Sequence, residues 1–261
     1  MIDAAHMLSA YDQQMRGWIP AAPPRGFDYQ QVGPLVRIVG QQRGFIDPPV
    51  DTGLRGRDLD ELIAQQRDFF AARGEAVEWK VRAHDQPIDL PQRLLAAGFI
   101  PEDTETVVIG ASEQMATDPV LPSGVTLREV AERVDFERIA AMESQVWNAD
   151  WSWLAEDLLT RVTAAPEDVR VLVAEAEGQV VSAAWLVVKP GTGFAGLWGG
   201  STVSQWRGRG IYRALVARRA QLALQRGVRY LQVDASDDSK PILVRLGFVE
   251  VTATTPYVWN P

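Results

Sequence analysis

The stretch "QWRGRGIYRAL" (205–215) sets two glycines, Gly208 and Gly210, among arginines and then opens a helix-like run. The question is whether this turn is a tight corner with solvated arginines or a cradle for an anion. Three anion-binding readings compete. A P-loop needs a Gly-Lys-Ser/Thr ending, and residues 208–212 read Gly-Arg-Gly-Ile-Tyr, so that reading fails. A dinucleotide fingerprint G-x-G-x-x-G fits at Gly208 and Gly210, with Asp234 at the spacing of a ribose-binding acid. Its third glycine position, however, is Arg213. The third reading is a pyrophosphate held by the amides of residues 208–212. Glycine lets the backbone approach such a ligand, the opening turn of a helix leaves N–H groups unpaired, and Arg207 and Arg209 add charge.

Working outward, Ile211, Ala214, Leu215 and Leu222 form the apolar stripe of a helix over 211–226, with Arg213 and Gln225 off it. Upstream, "VRVLVAEAEG" and "QVVSAAWLVVKP" predict an antiparallel hairpin turning at Glu177-Gly178. "GFAGLWGGSTV" predicts a strand whose glycines signal a bulge or a backbone left open to a ligand. "VTLREV" is a strand. "DFERIAAMESQVW" has helical spacing with Asp135 as its N-cap, and "WSWLAEDLLTRV" is a second helix.

The pattern occurs twice. "LRGRDLDELIAQQRDFFAARGEAVEWKV" (54–81) and "WRGRGIYRALVARRAQLALQRGVRYLQV" (206–233) share a glycine turn, an amphipathic run, Arg-Gly and an apolar strand. Each copy then reaches Gly-Phe, in "LLAAGF" and "LVRLGF". Five features in one order imply two related halves. The polar, aperiodic "GASEQMATDPVLPSG" (110–124) joins them.

Bulk properties narrow the function. The chain has 261 residues, 46% hydrophobic and 23% charged, which is globular. A net charge of -8 argues against a whole-surface affinity for nucleic acid or anionic membrane. There is no cysteine, which removes disulfides, thiolate zinc sites and a cysteine nucleophile. Two histidines, His6 and His84, are too few and too far apart to suggest a metal site, and a Ser-His pair would require His84 to reach across the fold. The N-terminus lacks the features of a signal peptide, and no segment approaches the about 18 apolar residues of a membrane span. The expectation is a cytoplasmic protein, monomer or homodimer, with no nucleic-acid or membrane partner.

Gln205-x-x-Gly208-x-Gly210 resembles the Q/R-x-x-G-x-G/A signature of the GNAT superfamily of acyl-CoA N-acyltransferases. The strand before it, the helix after it and "LQVDASDDSKPILVRLGF" also resemble that family. The resemblance implies an α/β (α+β) chain of two GNAT-like halves, each a mixed, mainly antiparallel sheet flanked by helices. Residues 1–110 would be a degenerate, truncated domain without cofactor, 111–123 a linker, and 124–261 the acyltransferase domain. It implies acetyl-CoA as co-substrate and no metal. The coenzyme would lie on Gln205, Trp206, Arg207, Gly208, Arg209, Gly210, Ile211 and Tyr212. Ser201, Thr202 and Val203 would add oxyanion donors from the strand before the turn, and Ser236 and Ser239 would add contacts downstream.

The implied reaction is direct transfer to an amine, either a small molecule or a peptide N-terminus. A simple primary amine has a pKa of about 10, so a base is needed. Glu143, Asp150 and Asp234 are the candidates, although Glu143 reads more readily as a helix-surface carboxylate and a capping role accounts for Asp234 equally well. Many family members carry a tyrosine four residues before the final Gly-Phe as acid for the leaving thiolate. Here that residue is Leu243, and Ser236, Ser239 or Tyr257 would have to substitute. The departure keeps open a non-catalytic acyl-CoA sensor. "VWNADWSW" puts Trp147, Trp151 and Trp153 where the family builds an acceptor wall, with Trp185 and Trp198 on nearby strands. Such a wall takes an apolar or cationic amine, or else is core packing. In the first copy, Gly53, Gly56 and Asp58 stand at the signature positions. Asp58 would repel a pyrophosphate by about 1 kcal/mol or more.

Overall fold

The computed structural model describes residues 3–261. It divides into two compact units. One contains the chain up to Val108 with Asp234–Pro241 and Glu250–Pro261; the other contains Ile109–Val233 with Ile242–Val249.

In chain order the elements of the first unit are α1 (Ala4–Met15), β1 (Asp28–Val32), β2 (Leu35–Val39), β3 (Gly44–Asp47), α2 (Gly56–Ala71), β4 (Val77–Arg82), α3 (Leu90–Ala96), β5 (Ile100–Pro101) and the start of β6 (Glu105–Ala111). The second unit adds α4 (Ser112–Met115), β7 (Val125–Val130), α5 (Arg133–Trp147), α6 (Leu154–Ala164), β8 (Val169–Ala176), β9 (Gln179–Val188), β10 (Phe194–Thr202), α7 (Ile211–Gln225) and most of β11 (Tyr230–Ala235). Then come α8 (Lys240–Leu246) and β12 (Val249–Trp259).

In the first unit the strand order is β1-β2-β3-β4-β12-β6, with β5 on β12. The pairs β1/β2, β2/β3, β4/β12 and β5/β12 are antiparallel, and β3/β4 is parallel. α2 buries Leu59, Leu62, Ile63, Gln66 and Phe70, a helical repeat that makes one face. Those apolar side chains meet Leu35, Ile46, Val77, Trp79 and Phe99 in one core. Trp79 and Phe99 meet edge to face, with centroids 6.5 Å apart at 89°.

β4 is not the wholly apolar strand that the sequence suggests. Val77, Trp79 and Val81 face this core, but Glu78, Lys80 and Arg82 alternate with them and are buried too. Each is paired: Arg43 donates to Glu78 at 2.6 Å, Lys80 to Asp234 at 2.5 Å, and Arg82 to Asp47 at 2.6 Å. Arg82 Nε also donates to the Tyr11 hydroxyl of α1 at 3.2 Å.

Gly44 shows how tightly this core closes. A Cβ there would lie 2.0 Å from Cε1 of Phe70, whose side chain is fully buried. Gly44→Ala must therefore displace a ring that has no room to move. We expect a loss of about 3 kcal/mol, read as a lower urea midpoint at unchanged slope.

In the second unit the order is β11-β10-β9-β8-β7. β7/β8, β8/β9 and β9/β10 are antiparallel. The β8–β9 turn is the expected Glu177-Gly178, with φ of 52° and 76°, the mirror-image turn whose twist suits a hairpin. β10 runs parallel to β11 only from Phe194–Gly196 against Tyr230–Gln232, and β10 then continues to Thr202 without β11. Both units thus carry a strand, a helix and a parallel strand in the same chain order, β3-α2-β4 and β10-α7-β11. The sheets are mainly antiparallel, which removes the dinucleotide-fold alternative.

α5 begins at Arg133 with Glu132 as N-cap, so Asp135 is not the cap. Arg128 of β7 donates to both oxygens of Asp135, at 3.0 and 2.6 Å, and an ion pair at the first turn takes the place of capping. Within 111–123, α4 packs on α7, where Gln221 Nε2 donates to the Thr117 carbonyl at 2.9 Å. Among the described residues no helix is long and apolar enough to cross a membrane, and no group of three or more His, Cys, Asp or Glu could hold a metal.

Candidate active site

The site starts where β10 leaves β11. Gly199 pairs with Ala184 and Ser201 with Ala183, so Gly200 is the extra residue of a bulge, as the glycines of this strand suggest. Two aromatic rings require the glycines. A Cβ on Gly199 would fall 2.5 Å from the Trp185 ring, and one on Gly200 would fall 2.5 Å from the Tyr212 ring. Ser182 of β9 anchors the strand end, its hydroxyl donating to the Ser201 carbonyl at 2.6 Å and lying 2.9 Å from Thr202 Oγ1.

A short 3-10 turn, Ser204–Trp206, leads from β10 into the glycine turn. Arg207 Nε donates back to the Thr202 carbonyl at 2.9 Å, and the Arg209 guanidinium lies over Trp206 at 4.7 Å. Gly208 and Gly210 have φ of +72° and +89°, which side-chain-bearing residues adopt only with strain. The space beside Gly208 is open, with no atom within 4 Å of where its Cβ would stand. Gly210 is the N-cap of α7, and no side chain caps that helix. The first-turn amides of Ile211, Tyr212 and Arg213 open this helix, with the positive end of a long helix behind them. A pyrophosphate fits this turn: backbone bare of Cβ atoms at Gly208 and Gly210, the start of a helix, and three arginines, Arg207, Arg209 and Arg213.

Across from the bulge, α5 contributes Glu143. Its side chain lies at 2% exposure, so it is not the helix-surface carboxylate that its residue type suggests. Trp147, one turn on, donates from Nε1 to Glu143 Oε2 at 2.9 Å and reaches Ser201 Oγ of β10 at 3.1 Å. Glu143 Oε1 is buried with no hydrogen-bond partner. Burial pushes this carboxyl above its ordinary range, and the hydrogen bonds from Ser201 and Trp147 offset only part of that. A buried acid with one oxygen unclaimed is poised to accept a proton.

Trp147, Trp151 and Trp153 form one stack. Centroids are 6.4 Å apart at 30° for the first pair and 5.3 Å at 28° for the second. Trp153 and Trp151 are half-buried, and Trp147 ends the stack at 58% exposure. Trp198 is half-exposed too. Its indole folds over Gly196, where an added Cβ would stand 2.7 Å from Nε1.

The other sequence candidates fall elsewhere. Asp234, Ser236 and Ser239 belong to the first unit. Asp234 accepts from Lys80, and it also helps push the half-buried Glu105 up to about 7, after burial itself. Ser236 and Ser239 lie hydroxyl to hydroxyl at 3.2 Å. Asp150 is exposed and accepts from the Ser152 amide. Leu243 is fully buried, and Tyr257 is part of the first unit's apolar core. His84 meets Asp12 and Arg16 at Nε2 and Thr252 at Nδ1, with no serine among those partners. In the first unit Asp58 sits in the opening turn of α2, where Gly56 has φ +53°.

Arg219 of α7 escaped the sequence reading. It is buried at 1% exposure and donates to the carbonyls of Leu215, Trp185 and Trp198 at 3.1, 3.3 and 3.0 Å. Burial pushes its guanidinium down to about 10. The signal was present, since Arg219 lies four residues after Leu215 and three before Leu222, on the buried stripe.

Residues 134–248 match the Acetyltransferase (GNAT) family. No curated protein matches the sequence. Among solved structures, a GCN5-related N-acetyltransferase from Kribbella flavida is similar at TM-score 0.68 and 20% identity, over 100% of this chain and 96% of that one. A tandem GNAT protein from the clavulanic acid biosynthesis pathway follows at 0.63 and 16%, over 99% and 97%. A GCN5-related N-acetyltransferase from Sphaerobacter thermophilus gives 0.62 and 19%, over 98% and 91%. The matched segment runs from the start of α5 to the Gly-Phe after α8 and encloses the bulge, the glycine turn and Glu143. Residues 134–248 therefore carry a match to the GNAT acetyltransferase family, whose members transfer acyl groups from acyl-CoA, and the whole chain has the fold of the tandem GNAT proteins.

Proposed function

We propose that the chain is an N-acetyltransferase that moves an acetyl group from acetyl-CoA to an amine, with the chemistry in the second unit. The observation that carries this reading is the buried Glu143, tied through Trp147 to Ser201 on the strand that has left β11, with Oε1 unclaimed. The glycine turn and the amides of Ile211, Tyr212 and Arg213 hold the pyrophosphate. Backbone amides at Ser201–Val203 stabilise the negative charge that develops on the acyl oxygen. Glu143 Oε1 removes the proton of the attacking amine. The amine nitrogen bonds to the acyl carbon, the carbon–sulfur bond breaks, and sulfur leaves as thiolate while the amine's proton stays on Glu143. The first unit binds no coenzyme in this reading, because Asp58 occupies the place of Gly210.

Thiolate release proceeds without an acid at position 243, since an aliphatic residue fills it. A thiol pKa of about 8.5 makes thiolate a fair leaving group unaided. We therefore expect kcat to climb with pH and show no descending alkaline limb. A descending limb that vanished in Tyr257→Phe would identify a relocated acid and overturn this expectation.

The test is thiol release from acetyl-CoA in the presence of a panel of amines. The chain has no cysteine, so a thiol reagent reports only free coenzyme. Amine-dependent release is expected. Tight acetyl-CoA binding with no release on any amine would instead support the sensor reading, which the buried Leu243 favours.

A further inference from the structure

We propose that the acceptor is a hydrophobic primary amine that arrives as an ammonium ion and seats on the free face of Trp147. This rests on the acetyl-transfer reading above and names its substrate class.

Three observations converge. The first is the stack: Trp153 backs Trp151, Trp151 backs Trp147, and the outer indole is 58% exposed. Its orientation is set, because its N–H is held by Glu143 and Ser201. A tryptophan that only filled core would not end a stack in solvent with its edge pinned. A fixed indole face offers a large apolar contact, and its quadrupole attracts cations.

The second is Glu143 Oε1, buried and without a partner, on the residue that holds the Trp147 edge. The proposed pose sets the amine nitrogen at the Glu143 end of the indole, whose N–H Glu143 Oε2 already accepts. The third is charge. Residues 143–153, which build the wall, contain Glu143 and Asp150 and no lysine or arginine, and residues 194–204 of the facing strand and turn contain no charged side chain. The guanidiniums that reach this strand are turned to its backbone, Arg219 to the Trp198 carbonyl and Arg207 to the Thr202 carbonyl, so an acceptor bearing carboxylate or phosphate finds no side-chain counter-charge within these two segments. The basic groups are gathered instead at Arg207, Arg209 and Arg213 on the coenzyme turn.

The same arrangement favours product release. On entry the ammonium sheds one proton to solvent, and the neutral amine yields a second to Glu143 as the amide forms. The product is uncharged, so its attraction to the indole face and the carboxylate ends with the reaction.

The experiment has a kinetic arm and a binding arm. In the kinetic arm, phenethylamine, glucosamine and L-glutamate are compared as acceptors for wild type, Trp147→Phe and Trp147→Leu. Phenethylamine is expected to have the highest kcat/KM. Trp147→Leu should lower it at least tenfold through KM for the amine, Trp147→Phe should keep most of it, and KM for acetyl-CoA should not change. In the binding arm, benzyltrimethylammonium, which has no N–H to acylate, is titrated by calorimetry against its neutral isostere neopentylbenzene. The cation should bind at least tenfold more tightly, and Trp147→Leu should remove that difference.

Equal binding of cation and isostere, or a preference for glutamate or glucosamine, overturns the proposal while leaving acetyl transfer intact. Trp147-dependent binding of the cation with no amine acetylated overturns the transfer reading and leaves the aromatic cation site standing.

Discussion

Glu143→Gln lowers kcat about a thousandfold and leaves acetyl-CoA affinity unchanged. That factor corresponds to about 4 kcal/mol of transition-state stabilisation, the size expected when a positioned base is removed. The substitution keeps the shape of the side chain, and an amide oxygen can still accept from Trp147 Nε1, so the stack and the Ser201 contact persist. It removes only the ability of Oε1 to take a proton. Rate should also depend on pH through this group. Burial raises the Glu143 carboxyl, so wild-type kcat falls as pH drops through a value above the ordinary carboxylate range. The Gln variant should lose that limb.

The stability consequence has the opposite sign. The folded state holds the Glu143 proton more tightly than the unfolded chain does. Its contribution is fullest below the unfolded value and declines as pH rises through the raised folded one. Ionising this buried carboxyl is a cost, so above the raised folded value Glu143→Gln should be as stable as wild type or more so. Loss of turnover with retained or increased Tm is the pattern of a functional carboxylate. A parallel loss of Tm and activity would assign Glu143 to structure instead.

Gly210→Asp abolishes acetyl-CoA binding, with affinity down at least about a hundredfold, or ~2.7 kcal/mol. Gly210 holds φ +89° at the start of α7, so any side chain brings backbone strain. Aspartate also brings a negative charge to the helix end that is meant to receive phosphate, and its carboxylate can itself cap the first turn of the helix. The same capping keeps the helix folded, and aspartates tolerate positive φ better than most residues. The circular dichroism spectrum should match wild type while calorimetry detects no binding. The first unit carries this residue pairing naturally, with Asp58 in the opening turn of α2. Affinity within about threefold of wild type, under ~1 kcal/mol, would show that the turn does not hold the pyrophosphate.

Local chemistry was legible in the sequence. The Glu177-Gly178 turn, the glycine bulge in β10, the helix after Gly210 and the doubled strand–helix–strand order all follow from short-range rules of backbone conformation and periodicity. So does the glycine turn before α7, because its positive φ values favour glycine. What lay beyond reach depends on which surfaces meet. β12, the last strand in the chain, pairs antiparallel with β4, setting Tyr257 opposite Trp79 in the first unit's core. Pairing of that kind joins residues far apart in sequence, and an extended strand carries no mark of its partner. The alternate face of β4 is another case: in a strand read as apolar, Glu78, Lys80 and Arg82 are buried because Arg43, Asp234 and Asp47 are brought to them. Glu143 and Asp234 were equal candidates as carboxylates on a helix and at a strand end. Tertiary packing gave Asp234 a lysine and left Glu143 buried against an indole with one oxygen free. A carboxylate's role is set by the charge and water around it, and those are properties of the folded neighbourhood rather than of the residue.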